Sequence, residues 1–305
     1  GHRRRPLRNP PQAPGALILR LFVFGAGFSS KAFIDRVRDQ FDWVGGTTRS
    51  EEKAEALRAA GIEPFLFDGE TPGDGIAAAL KSATHVLVSI APNETGDPVL
   101  NRHGDDIAAG RPSWIGYLST VGVYGNHDGA WVDEETPCRP VSKRSVQRVA
   151  AEEAWLTFSA RTDLAVQIFR LSGIYGPGRN AFENFKKGKA RRLVKPGQVF
   201  NRIHVEDIAR ALDFLGEARM AGIFNVTDDA PAPPQDVVEY AASLMKVDPP
   251  EETDFETATI SPMARSFYGE NKRVSNAKIK RAGFTFAHPD YRQALERMWR
   301  EGSWR

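Results

Sequence analysis

Cysteine is almost absent from this 305-residue chain, which contains only Cys138. A single cysteine excludes an intrachain disulfide and a metal site built from several thiolates, and it is typical of a reducing, cytoplasmic setting. Long hydrophobic runs are absent as well. The longest, Ala16–Leu19 and Leu21–Ala26, are separated by Arg20 and fall short of the ~18 residues that a membrane span needs. We therefore expect a cytoplasmic protein without a membrane partner.

Acidic residues are missing from the first 20 positions, which contain five arginines. Without these five, 36 basic residues face 39 acidic ones, so the formal net charge of +2 comes from the N-terminal segment. The charge therefore gives little support for nucleic-acid binding by the folded body, and we predict no nucleic-acid partner. Residues 1–16, which are basic and rich in proline, are predicted to form a separate tail.

Two catalytic motifs are also absent. The chain contains neither H-E-x-x-H nor G-x-S-x-G, which excludes a zincin metalloprotease and an α/β-hydrolase. Its six histidines have no metal-ligand spacing, and we predict no metal ion. His204 is expected to cap a helix or act as a hinge rather than catalyse.

From Leu17 onward, short apolar runs alternate with helical periods, a pattern that predicts parallel strands joined by crossover helices. The predicted strands are Leu21–Phe24, Trp43–Gly46, Pro64–Phe67, His85–Ile90, Trp114–Leu118, Ala165–Phe169 and Ile223–Val226. We predict an α/β fold with a doubly wound parallel sheet (Rossmann) and a small, mainly helical C-terminal substrate domain. The dinucleotide-binding domain is expected at 17–176, completed by 200–228, and the substrate-binding domain at 177–199 and 229–305.

A glycine-rich turn follows the first strand and opens the first helix. Gly25 permits the tight turn, and Gly27 lets the backbone approach a pyrophosphate held by the helix N–H groups. The usual third glycine is replaced by Ser30, which is still small. We predict dinucleotide binding by Gly25, Gly27, Phe28, Ser29 and Ser30, against the alternative of an empty strand–helix turn.

The second strand ends without the acidic residue that holds the ribose of NAD, ~20 residues past the first glycine. Thr48, Arg49 and Ser50 stand there instead and suit a 2′-phosphate, which predicts NADP(H), with NAD(H) as the second choice. The alternative is that Arg49 is only a solvated residue. Asp68 is predicted to receive the adenine amino group, or else to be a turn residue. Ser89 and Ala91, after the fourth strand, complete the predicted cofactor contacts together with Arg148.

Three further segments join the glycine loop in a family resemblance. They are Leu118–Gly125, Phe169–Gly178 and Arg202–Ala209. In this order they resemble the extended short-chain dehydrogenase/reductases, the NAD-dependent epimerase/dehydratase family. The resemblance implies carbonyl or alcohol chemistry on a small, nucleotide-sugar-type molecule, a homodimer, and a catalytic role for Thr120, whose hydroxyl would bond the reacting oxygen. The alternative for Thr120 is that it caps local backbone.

The chain departs from the family in the helix after the fifth strand. The family has a Tyr there that exchanges a proton with the substrate, and a Lys four residues later. Arg144 and Arg148 occupy these positions here, and an arginine cannot donate a proton near neutral pH. The chain therefore resembles an atypical member. Arg148 is left to bind ribose hydroxyls and Arg144 to bind substrate charge.

A proton donor is therefore expected outside that helix. Tyr268, in the Y-x-x-x-K stretch that ends at Lys272, is the first candidate, and Tyr124 or an ordered water follows. The predicted substrate-binding residues are Arg144, Tyr175, Arg179, Asn180 and Arg202, with a basic stretch at 186–195 that is otherwise a solvated loop. Nucleic acid is not expected there because no aromatic platform accompanies the charges.

Two functions remain open at this point. The first is an NADP(H)-dependent oxidoreductase or epimerase-like enzyme that acts on a hydroxyl or carbonyl group of an anionic small molecule. Thr120 favours it. The second is a dinucleotide-binding sensor or scaffold without turnover, and the missing Tyr and Lys favour that reading.

Overall fold

The computed structural model describes residues 17–305, and the predicted tail at residues 1–16 lies outside the described residues. Its first half contains β1 (Arg20–Phe24), α1 (Phe28–Val37), β2 (Trp43–Thr48), α2 (Glu51–Ala59), β3 (Glu63–Leu66), α3 (Ile76–Leu80), β4 (His85–Val88), α4 (Pro98–Gly110), β5 (Trp114–Thr120), β6 (Trp131–Val132) and α5 (Lys143–Thr162). The second half contains β7 (Val166–Leu171), β8 (Gly173–Tyr175), α6 (Ala181–Lys186), β9 (Arg192–Val194), β10 (Arg202–His204), α7 (Val205–Ala218), β11 (Gly222–Val226), α8 (Pro234–Met245), β12 (Glu252–Asp254), α9 (Pro262–Tyr268), β13 (Arg273–Val274), α10 (Ala277–Arg281) and α11 (Tyr291–Glu301).

Seven strands form one parallel sheet in the order β11-β7-β5-β4-β1-β2-β3. All seven correspond to predicted strands, so the doubly wound parallel sheet is confirmed. Chain order reverses at β1, which pairs with β2 on one side and β4 on the other. Ligands of such sheets bind beyond the carboxyl ends of the strands at this reversal.

Helices cover both faces of the sheet, which explains why its strands are continuous apolar runs. In β1, Leu21 and Val23 join the core beneath α1 and α7, whereas Phe22 and Phe24 join the core beneath α4 and α5. All four side chains are fully buried. Alternate residues of one strand thus stabilise two separate layers. None of the helices within 17–305 is long and apolar enough to span a membrane.

Helix α4 was not among the predicted helices. Its start has recognisable signals, because Asp97 Oδ1 accepts from the first-turn N–H groups of Val99 and Leu100, and Pro98 occupies the first turn. Gly104 lies inside the helix, where glycine lowers the local helix preference. Burial of the apolar face of α4 against the sheet outweighs that preference.

Three short strand pairs were not predicted either. β8 pairs with β10, β9 with β12 and β6 with β13, all in parallel. The last two pairs join the C-terminal helical region, α8 to α11, to earlier parts of the chain. The predicted division into a dinucleotide-binding and a substrate-binding domain stays a prediction.

Candidate functional site

The loop after β1 turns sharply at Gly25 and is fixed to the end of β2. Gly25 has a φ of +87°, which side chains rarely adopt, and a Cβ there would stand 3.1 Å from Ile90 Cγ1. The Gly25 amide donates to Thr47 Oγ1 (2.8 Å) and the Ala26 amide to the Thr47 carbonyl (3.1 Å). At Gly27, in contrast, a Cβ would meet no described atom within 4 Å. The backbone at Gly27 therefore borders open space that a ligand can enter.

Helix α1 begins directly on this loop. Within the described chain no side chain caps its N-terminus, which follows Gly27, and its first turn contains no acidic residue. Such N-terminal N–H groups attract anions. Ser29 and Ser30 are buried behind the turn, and Ser30 Oγ has no hydrogen-bond partner among residues 17–305. Gly25, Gly27, Phe28, Ser29 and Ser30 thus surround one anion cradle, which fits a dinucleotide pyrophosphate.

A second pocket, of about 530 Å³, lies beside the ends of β2 and β3 and is lined by both Arg49 and Asp68. Arg49 is exposed and follows Thr48, the last residue of β2. Ser50 caps α2, because its Oγ accepts from the Lys53 amide. The pocket therefore offers an exposed guanidinium and a carboxylate at the edge of the sheet.

Asp68 has a local role as well. Its Oδ1 accepts from the backbone N–H groups of Glu70 (2.8 Å) and Thr71 (2.9 Å). The hydrogen bonds from Thr71 and then Glu70 lower the pKa of Asp68, so the carboxyl group is ionised near neutral pH. Asp68 is therefore a turn residue, as one of the two interpretations predicted. The contact of its exposed side chain with adenine stays a prediction.

Ser89 and Ala91 follow β4 and lie at the rear of the glycine loop. The Ser89 amide donates to the Phe24 carbonyl (2.8 Å), and its carbonyl carbon lies 3.4 Å from the Cβ position of Gly25. Ala91 is exposed. The cofactor contacts of Ser89 and Ala91 stay predictions.

The cavity at the carboxyl ends of β5 and β7 has a volume of about 570 Å³ and brings together predicted residues from distant parts of the chain. We call it the β5–β7 cavity. Its polar and charged lining side chains are Thr120, Ser172, Tyr175, Arg179, Asn201, Arg202, Tyr268, Glu270 and Lys272. The Arg179 guanidinium also lies 5.8 Å from the ring centroid of Phe28, the first residue of α1. The cavity therefore adjoins the glycine loop.

Thr120 ends β5 and is half-buried on the wall of this cavity. Its Oγ1 accepts a hydrogen bond from the Gly122 amide at 3.1 Å, so Thr120 caps the local backbone, as the alternative interpretation predicted. The hydroxyl hydrogen is not used by that bond. Thr120 can therefore still donate a hydrogen bond to an oxygen in the cavity.

Buried ionisable side chains surround Arg202 at the floor of the cavity. Arg202 Nη1 donates to the carbonyls of Phe200 (3.1 Å) and Ala232 (3.2 Å), and burial lowers the pKa of this guanidinium. Burial raises the pKa of the nearby Asp228 to about 8, and Arg202 opposes that shift. Burial also raises the pKa of Tyr175, whose hydroxyl finds no partner in the described chain. Arg202 is thus the fixed positive charge of the floor.

The described residues that line the cavity do not include four of the residues predicted to act in catalysis, ribose binding or substrate binding: Tyr124, Arg144, Arg148 and Asn180. Tyr124 is fully buried, its hydroxyl donates to Asn225 Oδ1 (2.7 Å), and burial raises its pKa to about 12, so we assign it no proton transfer. Arg148 Nη1 donates to Tyr117 Oη and to the Leu118 carbonyl, both at 3.0 Å, and braces β5. The ribose contact of Arg148 stays a prediction. Arg144 is exposed.

The side-chain amide of Asn180 forms hydrogen bonds within the protein. Its Nδ2 donates to the carbonyls of Gly176 (2.8 Å) and Trp304 (2.6 Å), while its Oδ1 accepts from the Glu183 amide and caps α6. These bonds use both amide hydrogens and one oxygen lone pair. Asn180 therefore has a role in loop structure, and its substrate contact stays a prediction.

Two functional candidates were missed by the sequence prediction. Lys272 Nζ and Glu270 Oε2 form an ion pair at 3.1 Å on the cavity wall, with both side chains nearly buried. The Y-x-x-x-K spacing drew attention to Tyr268 but gave no sign that Lys272 would face Thr120 across a cavity. Neighbouring α9 carries Phe267, whose ring lies 4.7 Å from the Arg144 guanidinium. Arg144 therefore lies beside the cavity wall, at its exposed rim.

A cluster of His204, Glu206 and His288 has its ligand atoms within 4.8 Å of one another. His204 Nδ1 accepts from the Glu206 amide and caps α7, as predicted. His288 Nε2 bonds Glu206 Oε2 at 2.7 Å. The two imidazole rings are stacked, with centroids 3.8 Å apart and an interplanar angle of 23°. Nearly parallel rings direct their lone pairs side by side rather than toward one point, so we assign no metal to this cluster.

Comparison with known proteins identifies relatives over most of the chain. The sequence model of the NAD dependent epimerase/dehydratase family matches residues 109–227. Protein YeeZ of Escherichia coli K12 is 30% identical over 262 residues, which cover 81% of this chain and 88% of YeeZ.

Solved structures give the same fold. The structure of a functionally unknown conserved protein from Silicibacter pomeroyi DSS is 46% identical, with a TM-score of 0.84 over 93% of this chain and 99% of that one. The human epimerase family protein SDR39U1, solved with NADPH, is 17% identical, with a TM-score of 0.70 over 92% and 99% of the two chains. The chain belongs to the NAD-dependent epimerase/dehydratase family.

Proposed function

We propose that this protein is an NADP(H)-dependent oxidoreductase or epimerase-like enzyme that acts on a hydroxyl or carbonyl group of an anionic small molecule. One observation carries the proposal. The β5–β7 cavity joins the Thr120 hydroxyl to two guanidinium groups, Arg179 and Arg202, and adjoins the glycine loop through Phe28. A reacting oxygen, a negative charge and a dinucleotide can therefore occupy neighbouring volumes.

The glycine loop and the pocket of Arg49 and Asp68 would hold the dinucleotide. The pyrophosphate would accept hydrogen bonds from the first turn of α1, and the open face of Gly27 leaves room for it. Arg49 supports NADP(H) over NAD(H), because a guanidinium attracts a 2′-phosphate that a carboxylate would repel. SDR39U1, the human relative in fold, was solved with NADPH.

The substrate would lie in the β5–β7 cavity. When bound, the nicotinamide supplies or accepts the hydride. Thr120 would donate a hydrogen bond to the substrate oxygen that gains or loses negative charge, and the two arginines would hold an anionic group away from the reacting carbon. The aliphatic and aromatic part of the lining excludes water from the reacting carbon and strengthens these interactions.

We propose that the proton donor belongs to the segment 268–272. Tyr268 lines the cavity, but burial raises the pKa of its hydroxyl, and its ring is stacked on Phe255 (centroids 4.8 Å apart) and packed edge-on to Phe200 (5.1 Å). A raised pKa makes a phenol a poorer acid. Lys272 is the second ionisable donor of the segment.

One feature favours a second function, a dinucleotide-binding sensor or scaffold without turnover. Arg144 and Arg148 replace the tyrosine and lysine of the family, and Arg148 is held against β5 by its bonds to Tyr117 and Leu118. The helix that normally carries the chemistry therefore has a structural role here.

Cofactor choice is tested by titrating the purified protein with NADPH and NADH. We expect tighter binding of NADPH. Arg49→Ala removes one charge-assisted contact, about 1.5–3 kcal/mol, and should weaken NADPH binding about tenfold or more with little effect on NADH. Arg58→Ala is the matched control, since Arg58 is an exposed arginine of α2 bound to Glu51 and Glu55. Equal affinities of the parent for the two dinucleotides would overturn the NADP(H) assignment.

Turnover is tested with NADPH and carbonyl compounds, and with NADP⁺ and the matching alcohols, over a panel of sugar nucleotides and other anionic molecules. The enzyme proposal predicts turnover that Thr120→Val lowers by about a hundredfold. Tight NADPH binding without turnover on any member of the panel would favour the sensor or scaffold. We also propose a small-molecule partner and a homodimer. Analytical ultracentrifugation tests the homodimer.

A further inference from the structure

The ion pair of Glu270 and Lys272 stands on the wall of the β5–β7 cavity with little contact with solvent. Lys272 Nζ lies 3.1 Å from Glu270 Oε2, and the two side chains are only 5% and 9% exposed. Both residues line the cavity. An ammonium group at this place can donate a hydrogen bond into the cavity while it keeps its carboxylate partner.

Ser145 lies near both this ion pair and Thr120. Ser145 Oγ donates to Glu270 Oε1 at 3.4 Å, and Ser142 Oγ donates in turn to Ser145 Oγ at 2.9 Å. Ser145 Oγ and Thr120 Oγ1 stand 3.0 and 3.4 Å from the point that a Cβ of Gly122 would occupy, so they are at most 6.4 Å apart. The absence of a side chain at Gly122 keeps this space open.

Ser145 belongs to the same helix turn that carries the family's tyrosine. Ser145 follows Arg144 in the first turn of α5 and is buried, whereas Arg144 is exposed. The segment before β13 therefore brings an acid–base pair to the place where α5 itself lacks one. The segment is held firmly, because Asn201 Nδ2 donates to the Lys272 carbonyl (3.0 Å) and Asn201 Oδ1 accepts from the Val274 amide (2.8 Å).

We propose that Lys272 is the acid–base residue of the β5–β7 cavity and that Glu270 is its positioning residue, an inference that rests on the proposed enzyme function. In carbonyl reduction, the carbon accepts the hydride supplied by the reduced dinucleotide, and an O–H bond forms at the substrate oxygen as an N–H bond of Lys272 breaks. Lys272 is left as a neutral amine that regains a proton from water. In the reverse direction the amine takes the hydroxyl proton.

The surroundings suit this exchange. Burial lowers the pKa of Lys272, and Glu270 opposes the shift, so the ammonium is a better acid than one on the surface. The other titratable side chains that line the cavity are Tyr175, Arg179, Arg202 and Tyr268.

The first experiment needs no cofactor. Competitive acetylation of the ligand-free protein across a pH series, read by mass spectrometry, gives a titration midpoint for each lysine. We expect the midpoint of Lys272 at least one pH unit below that of Lys53, an exposed lysine of α2. Glu270→Gln should lower it further, because the opposing charge is lost. A Lys272 midpoint equal to that of Lys53 would overturn the proposal.

The second experiment measures turnover and NADPH affinity in parallel. Lys272→Met and Lys272→Arg should each lower kcat at least a hundredfold while NADPH affinity changes less than threefold, since arginine keeps the charge but does not release its proton. Lys53→Met, at an exposed lysine of α2, is the control and should keep kcat within a few-fold. Glu270→Gln should move the pH–rate profile to lower pH, which a purely structural role would not do.

The outcomes separate the two proposals. Turnover by the parent with Lys272→Arg unaffected, or with kcat lost in Tyr268→Phe and kept in Lys272→Met, overturns the role of Lys272 alone. Parent protein that binds NADPH without turning over any substrate overturns the enzyme function and, with it, the role of Lys272. If Lys272→Met does not fold, Lys272→Arg decides, because it preserves the ion pair.

Discussion

The buried ion pair between Glu152 of α5 and Arg170 of β7 gives the sharpest stability prediction. Arg170 Nη2 lies 2.7 Å from Glu152 Oε2 and its Nε 3.1 Å from Oε1, and each side chain is only 4% exposed. Ser119 Oγ donates to the same carboxylate. Glu152→Gln keeps the shape but leaves the Arg170 charge without its partner. Breaking such a pair from one side costs about 3–5 kcal/mol, and the remaining amide oxygen places this variant near 3 kcal/mol.

Urea unfolding, followed by tryptophan fluorescence, measures this loss. The pair is buried, so the loss should persist in about 1 M salt, where exposed pairs are screened. Replacing both Glu152 and Arg170 by Met should recover most of the stability, because neither charge then stays buried. Glu301→Gln, which breaks a half-exposed pair with Arg297, is the control and should have no measurable effect. A loss below about 1 kcal/mol for Glu152→Gln, or a double variant less stable than it, would refute the reasoning.

Two further predictions concern the glycine loop and a buried acid. Gly27→Ala should leave stability unchanged, since a Cβ there meets no described atom, but it should weaken NADPH binding at least tenfold by filling the cradle. Gly25→Ala should lower both stability and NADPH affinity, because Gly25 has a φ of +87° and a Cβ there would contact Ile90. Normal NADPH affinity in Gly27→Ala would contradict the cradle. Burial raises the pKa of Asp228 from its usual 3.8 to about 8, so its protonated form stabilises the fold below pH ~4, and that contribution is lost as the pH rises to about 8. Between those pH values the free energy of unfolding should fall by at most on the order of 5 kcal/mol, and Asp228→Asn should abolish this fall. An unchanged pH–stability curve in Asp228→Asn would argue against this role of Asp228.

The sheet was predictable because each strand carries its own local signal. Leu21–Phe24 is apolar at every position, and Gly25 and Gly27 follow at once, so strand, turn and helix are readable within ten residues. The pairs β6–β13 and β9–β12 were not predictable, because two or three residues are too short to show a period. Which distant segments meet is decided by tertiary packing.

The candidate site divides in the same way. Thr120, Arg179 and Arg202 could be found from motifs that fix their positions at strand ends or in adjoining loops. The pair of Glu270 and Lys272 could not, because it reaches the cavity only through the docking of the C-terminal region. Residue type alone also could not tell that the Tyr124 hydroxyl turns inward to Asn225. A side chain's direction depends on partners that are remote in sequence.

The parallel pairing of β6 with β13 has a consequence for how the protein is assembled. It joins residue 131 to residue 273, and Lys272 immediately precedes the paired strand. Closing so long a loop is entropically costly and slow compared with contacts between neighbouring strands. The wall of the β5–β7 cavity that carries Lys272 is therefore expected to form late in folding, after the contacts between strands that are neighbours in the sequence.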